Sequence, residues 1–219
     1  MFANSRDVFL KELEDYMREG VGLKERSIKI YLSKIRKVLE SGYSVGDLCG
    51  AAEQLWEQYG PEGQRYDPKD HGNTRAAIKH VANLVRAKLL EDPGCPYVSY
   101  SVGWDSFRPV DLCESGYTIQ DGVITFSYNK GFAAGKNVST KIPTADIKKL
   151  IYIFERAQAL GCLSSSDTCI HSVHGNRYTY DYSFKDNMGS NCRCLFEGDT
   201  TNVRKLRDEY DNLIQKLRS

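Results

Sequence analysis

The chain has 219 residues, with 30 lysines and arginines against 29 aspartates and glutamates and a formal net charge of +1. This balance excludes a strong overall attraction to nucleic acid or to a membrane surface, so any such attraction must be local. No apolar run approaches the ~18 residues of a membrane span, and the N-terminal residues lack the apolar core of a secretory signal. The seven cysteines are odd in number and irregularly spaced, which is typical of reduced thiols and predicts a cytoplasmic protein.

The first 92 residues contain four segments in which apolar residues recur at helical spacing. Ser5 is of a type that favours the N-cap of the first helix, and Asp47 is expected to cap the third. Gly60-Pro61 ends the third helix, and Gly72 or Asn73 opens the fourth. The predicted helices cover residues 5–18, 23–40, 47–59 and 73–89. Four amphipathic helices of this size predict a four-helix bundle over residues 1–92.

The segment 92–96, Asp-Pro-Gly-Cys-Pro, is the clearest boundary in the sequence. Beyond it the pattern predicts strands over 97–102, 123–128, 138–142, 177–184 and 191–196. The last four strands are expected to form two hairpins, one turning at 131–135 and one around 187–189. Helices are predicted over 143–159 and 200–217. Residues 97–219 are therefore predicted to form an α+β domain with two β-hairpins and two helices.

Positive charge is concentrated on two of the predicted helices. Over residues 25–39 the second helix carries five cations and only Glu25 against them, and the fourth carries no acidic residue between 73 and 90. The first helix, in contrast, is rich in acidic residues. This sorting is typical of a bundle with two helices facing a polyanion. The alternative is that both stripes are ordinary solvated helix surfaces.

Two sequence segments favour the first interpretation. Residues 27–38 read SIKIYLSKIRKV and residues 73–78 read NTRAAI. Together with the order of helices over 5–90, they resemble the SAM-like core-binding domain of tyrosine recombinases, the phage integrase family. The resemblance implies that the second and fourth helices contact duplex DNA, mostly through phosphates. The residues expected to do so are Arg26, Lys29, Ser33, Lys34, Arg36, Lys37, Asn73, Thr74, Arg75, Lys79 and Arg86.

The same family carries a catalytic domain after the core-binding domain. Its chemistry uses a tyrosine nucleophile, two arginines that stabilise the charge on phosphorus, a hairpin lysine as general acid and a His-x-x-Arg pair. Residues of these types occur here in that order, namely Arg108, Lys130 or Lys136, His174, Arg177 and Tyr210.

Their surroundings differ from the family's pattern. The His-x-x-Arg pair continues into a predicted strand rather than an apolar helix, and no Leu-Gly-His follows it. We therefore expect an integrase-type DNA-binding protein without recombinase catalysis. An active, diverged recombinase that uses Tyr210 is one alternative. A protein–protein interaction module with no role in nucleic-acid binding is the other, and residues 97–219 could hold a protein partner under either interpretation.

Three further patterns have simpler explanations. Residues 131–137, GFAAGKN, have three residues between the glycines rather than four and lead into a strand, which indicates a hairpin turn rather than a phosphate loop. Cys169, His171 and His174 lack a fourth ligand for a tetrahedral metal site, so no metal or cofactor is expected. The period-two aromatic series Tyr178, Tyr180, Tyr182 and Phe184 predicts a core face, with stacking of single-stranded bases as the alternative.

Overall fold

The computed structural model describes residues 5–92, 94–104, 112–130, 133–163, 176–191 and 194–219. Within these residues the chain forms seven α-helices and one six-stranded antiparallel sheet, which confirms the predicted α+β class. The chain divides into two compact units, Met1–Lys88 and Leu89–Ser219. The sequence-based boundary at 92–96 lies a few residues after this division.

Every secondary-structure element in the described part of the first unit is a helix or a helical turn. Helix α1 (Arg6–Asp15) continues into a π-helical turn (Tyr16–Gly20), and α2 spans Glu25–Glu40. Two short helices follow, α3 (Val45–Gly50) and α4 (Ala52–Gln58). A 3₁₀ turn (Pro68–Asp70) then leads into α5 (Asn73–Glu91). The predicted first, second and fourth helices are confirmed in type and approximate position.

The third predicted helix is in fact two helices. The chain departs from helical geometry at Ala51, which separates α3 from α4. The cap also differs from the prediction, because Ser44 and not Asp47 is the N-cap. The Ser44 hydroxyl accepts a hydrogen bond from Asp47 N–H at 3.1 Å, and the Asp47 carboxylate accepts one from Ser44 N–H at 3.2 Å. This is a reciprocal capping box in which Asp47 occupies the N3 position.

The second unit is organised by its sheet. The strands are β1 (Tyr97–Trp104), β2 (Leu112–Gln120), β3 (Val123–Lys130), β4 (Ala133–Lys141), β5 (Asn176–Phe184) and β6 (Asn187–Asn191). Their order across the sheet is β4-β3-β2-β1-β5-β6, and every neighbouring pair is antiparallel. Helix α6 (Thr144–Ala159) follows β4, and α7 (Thr201–Arg218) ends the chain. Both helices match their predictions, and the Thr200 hydroxyl caps α7 by accepting from Val203 N–H.

Strand β2 was missed by the sequence analysis. Asp121-Gly122 is the turn between β2 and β3, with both residues at positive φ (50° and 67°). The later hairpin turn is also misplaced by the prediction, because it lies at 185–186 with Lys185 at a φ of 53°. Residues 187–189 belong to β6, and Phe196 forms an isolated bridge with Leu163 instead of ending a strand. Gly135 lies in β4 rather than in a turn, and residues 131–132 fall outside the described residues.

One face of the sheet packs against α6 and α7 through aromatic rings. The Phe154 ring of α6 lies 5.3 Å from Phe184 and 6.2 Å from Tyr182, both of β5. Tyr210 of α7 donates to or accepts from Tyr117 of β2 through their hydroxyls, 3.0 Å apart. The predicted core role of the aromatic series in β5 is confirmed for Tyr182 and Phe184, which are buried.

The opposite face of the sheet is polar. Strand register aligns one row of short side chains across all six strands, in the order Ser139, Thr125, Thr118, Ser99, Asp181 and Ser190. The Thr125 and Ser139 hydroxyls are 2.9 Å apart and share a hydrogen bond. An antiparallel sheet with one face on the core and one facing water has this alternation.

Candidate nucleic-acid interface

Helix α2 has one buried and one charged side. Apolar residues at helical spacing place Ile28, Leu32, Ile35, Val38 and Leu39 in the core of the first unit. The opposite side exposes four cations, Arg26, Lys29, Arg36 and Lys37, which we call the α2 cationic face. Ser33 is exposed among them. Among the described residues, no salt bridge joins any of these four cations to a carboxylate.

The two carboxylates of α2 are both paired with arginines from the preceding helical segment. Arg6 Nη2 lies 2.9 Å from Glu40 Oε1, and Arg18 Nε lies 2.7 Å from Glu25 Oε1. Arg18 also pairs with Glu14 at 2.6 Å, and its hydrogen bond lowers the pKa of Glu25. Such exposed pairs contribute little to stability. Their effect on charge is larger, because they neutralise the two acidic ends of α2 and leave the α2 cationic face positive.

Lys34 lies on the flank of α2 and is used differently. Its ammonium group pairs with Asp70, whose side chain is only 10% exposed. The same carboxylate accepts a hydrogen bond from Thr74 N–H at 2.6 Å, and the Asn73 side-chain amide donates to Asp70 O at 2.7 Å. Burial raises the pKa of Asp70, but hydrogen bonds from Lys34 and Thr74 outweigh that effect and hold it below its ordinary value. Lys34, Asn73 and Thr74 therefore anchor the start of α5.

Two of the three α5 cations that were predicted to contact DNA pack against other residues of the protein instead. The Arg75 guanidinium lies over the Trp56 ring, with Cζ 4.2 Å from the ring centroid, and its Nε is buried without a hydrogen-bond partner in the described structure. A Cβ at Gly60 would lie 3.3 Å from Arg75 Cζ, so the guanidinium fills the space above that glycine. Arg86 is buried, at 8% exposed. Lys79 is exposed to solvent.

One ring contact fixes which side of α5 lies next to α2. The Tyr31 ring of α2 and the His80 ring of α5 are 5.4 Å apart. Burial, and secondarily the charge of Lys79, lower the pKa of His80, so its imidazole is neutral at pH 7. Asn83 shares this side of α5 by its spacing from His80 and is half-buried. Asn83 is absent from the residues predicted to contact DNA, although its place one turn after His80 was a usable signal.

The candidate catalytic residues are not assembled in the described structure. Arg108 and His174 lie outside the described residues, as do Cys169 and His171, and for Arg177 only the backbone is described. Lys130 is exposed at the end of β3, and Lys136 is exposed on β4. Tyr210 is 3% exposed, and burial raises the pKa of its hydroxyl far above its ordinary value. A buried phenol held by Tyr117 is not placed to attack a phosphate.

The described residues contain no group of three or more histidines, cysteines, aspartates or glutamates that could hold a metal ion. No helix among them is long and apolar enough to cross a membrane.

Comparison with known proteins identifies no family for this chain. No protein-family model matches the chain, and no match to a curated protein was found. The positive side of α2, with its neutralised ends, is therefore the feature from which a function is inferred.

Proposed function

We propose that this protein binds duplex DNA through its first unit, with the α2 cationic face lying along the phosphate backbone. In this proposal the helices of the first unit form the SAM-like core-binding bundle of the integrase family, with α3 and α4 together taking the place of its third helix. DNA carries one negative charge per ~1.7 Å of helix axis, so a row of cations on a rigid helix meets several phosphates at once.

The observation that carries the proposal is the state of charge on α2. Four exposed cations form no salt bridge among the described residues, while both acidic residues of the helix are paired with arginines. A solvated surface helix usually intersperses charges of both signs. A one-signed row favours an anionic partner because binding releases the counterions that such a row would hold.

Helix α5 contributes fewer cations to the proposed DNA contact than its sequence predicts. Lys79 is the α5 cation that we assign to phosphate contact, because Arg75 stacks on Trp56 and Arg86 is buried. The α5 side next to Tyr31 offers Asn83 and neutral His80 as hydrogen-bonding groups. Phosphate contacts of this kind position a protein on DNA without reading its sequence.

The proposal includes no strand-transfer chemistry. Tyr210 is packed in the aromatic core of the second unit, so the alternative of an active recombinase requires a nucleophile that this residue does not provide. A cytoplasmic location is part of the proposal and follows from the cysteine pattern. A protein-binding role for residues 97–219 stays a prediction.

The test is binding to a random 30-base-pair duplex, followed by fluorescence anisotropy over a series of salt concentrations. With the α2 cationic face and Lys79 engaged, five phosphates are neutralised and the slope of log K against log [salt] is expected near −4.5. Replacing Lys29→Glu together with Arg36→Glu should weaken binding by at least about tenfold and flatten the slope by about 1.8.

The matched control is Lys149→Glu with Lys205→Glu. These lysines are exposed on α6 and α7, and their replacement changes the net charge by the same amount. Equal weakening by both double variants would show an unlocalised charge effect and refute the proposed face. No binding by the folded wild-type protein at low salt would refute the function itself and leave the interaction module as the better reading.

A further inference from the structure

The second unit contains a cavity that DNA binding does not use. Its volume is about 270 Å³, and its walls include Tyr180, Cys194, Phe196, Arg207, Tyr210 and Asp211. A cavity of ~150 Å³ suffices for benzene, so this one has room for an aromatic ring with a short chain. Its lining combines aromatic rings with two charged side chains.

The aromatic rings of the lining pack against one another and against Tyr100. The Phe196 and Tyr210 rings meet edge to face at 5.6 Å, and Tyr180 packs on Tyr100 with ring centroids 4.6 Å apart. Burial raises the pKa of the Tyr180 hydroxyl well above its ordinary value, so the ring is neutral. Neutral aromatic rings attract cations through their negatively charged faces.

Arg207 and Asp211 are one helical turn apart on α7, a spacing at which opposite charges often pair. They do not pair here. Arg207 Nε and Nη2 both donate to Phe196 O, at 2.9 and 2.7 Å, and Nη2 also donates to Gly198 O at 2.6 Å. Its Nη1 lies 3.7 Å from the exposed Asp199 carboxylate. The guanidinium is thus held by the backbone carbonyls of Phe196 and Gly198, and Phe196 forms part of the cavity wall.

The Asp211 carboxyl is consequently left at the mouth of the cavity without an ion pair among the described residues. Burial, and next the neighbouring Asp208, raise its pKa, while Arg207 opposes them only in part. Asp211 is exposed to solvent as a whole, so a ligand can reach its carboxylate, while the like charge of Asp208 and the cavity wall disfavour its ionised form. A cationic group that entered the cavity would relieve both effects.

We infer that this cavity binds a small organic cation with an aromatic or apolar body, whose ammonium group pairs with Asp211 while its body lies against Tyr180. An anionic ligand is disfavoured because it would face the Asp211 carboxylate, and because Arg207 already donates to Phe196 and Gly198. A neutral ligand of the same shape would gain the ring contacts without the ion pair. The inference does not depend on DNA binding.

The experiment compares three ligands of nearly equal size on the full chain by isothermal titration calorimetry: phenethylamine, 2-phenylethanol and 3-phenylpropionate. Phenethylamine is expected to bind at least about tenfold more tightly than the alcohol, and 3-phenylpropionate least tightly. Asp211→Asn should remove this preference. Asp208→Asn, which changes an exposed carboxylate on the same helix, should keep it.

A second measurement locates the bound amine. Cys194 lines the cavity, so phenethylamine should slow its alkylation by iodoacetamide, measured by peptide mass spectrometry, at least about threefold. Cys95 controls for a general effect of phenethylamine on thiol alkylation. It lies elsewhere in the same unit and should react at an unchanged rate. Equal affinity for amine and alcohol, or loss of the preference in Asp208→Asn, or unprotected Cys194 at saturating amine, would each overturn the inference.

Discussion

Lys34 and Asp70 form an ion pair that ties the flank of α2 to the residue from which α5 is capped. The pair separates Lys34 from the other cations of α2. Arg26, Lys29, Arg36 and Lys37 face solvent, whereas Lys34 compensates a carboxylate that is almost fully buried. Helix α2 thus contains one cation that stabilises the fold and four cations that face solvent.

Removal of the Lys34 ammonium should destabilise the protein. Lys34→Met keeps the apolar stem and leaves Asp70 without its counter-charge, so the free energy of unfolding should fall by about 1–3 kcal/mol. Urea denaturation at pH 7 measures this value. Lys37→Met, on the exposed side, should change it by less than about 0.5 kcal/mol.

Acid should abolish the contribution of this ion pair. The pKa of Asp70 is lower in the folded protein than in the unfolded chain, so folding is favoured by its ionisation. The contribution is complete above the unfolded pKa, near ~3.9, and is lost as the pH falls through the lower folded value. Unfolding of the wild type and of Lys34→Met should therefore converge below that range. A constant difference between the two proteins down to acid pH would contradict this assignment.

Two cations of α5 should behave differently in DNA binding. Lys79→Gln removes an exposed charge and should reduce the magnitude of the salt slope by about 0.9. Arg75→Gln removes a guanidinium that stacks on Trp56, so it should lower stability by about 1 kcal/mol and leave the slope unchanged. Anisotropy titrations and urea denaturation on both variants separate the two roles. A slope change of equal size in Arg75→Gln would assign that residue to the DNA instead.

The hydrogen bond between Tyr117 and Tyr210 should show strong coupling. Either single change to Phe leaves one buried hydroxyl without its partner and should cost about 1–3 kcal/mol. The double variant Tyr117→Phe with Tyr210→Phe removes both hydroxyls and should lose less than the sum of the single variants. A double-mutant cycle by thermal or urea denaturation gives the coupling energy. DNA affinity should be unchanged in all three variants.

Gly116 should tolerate no side chain. Its φ is 153°, and a Cβ there would lie 2.1 Å from Tyr100 O across the β1–β2 ladder. Gly116→Ala should therefore lower the free energy of unfolding by at least about 2 kcal/mol. Gly22→Ala provides the comparison, because Gly22 also has positive φ but has no atom within 4 Å of the added Cβ. Similar costs for the two variants would show that backbone strain, and not the close approach, decides the effect.

The periodic elements could be predicted from sequence because their signal is local. The apolar stripe of α2 and the aromatic series of β5 identify both elements and their buried faces. The role of a cation could not be predicted in this way. Helical spacing puts Arg75, Lys79 and Arg86 on one side of α5, yet only the folded neighbours determine that one stacks on Trp56 and another is buried.

Irregular positions account for the missed elements. Strand β2 contains a bulge between Glu114 and Gly116, which interrupts the alternation that identifies a strand. Asp121-Gly122 forms the turn from β2 to β3, but its residue types alone do not show that a strand precedes it. Lys185 adopts a left-handed conformation that is uncommon for lysine. The sequence therefore favoured a turn at the neighbouring Asn187-Met188-Gly189.

The polar row that runs from Ser139 to Ser190 has a consequence for the fidelity of strand pairing. Because side chains alternate between faces, a slip of β5 by a single residue would turn Asp181 and Ser183 towards Phe154 and move Tyr182 and Phe184 into water. Strands β1, β2 and β3 resist a slip for the same reason, because Val98, Ile119 and Phe126 would leave the core. Mispaired arrangements of the sheet are thereby excluded by the side chains themselves, even where the two ends of a ladder, as in β1 and β5, lie far apart along the chain.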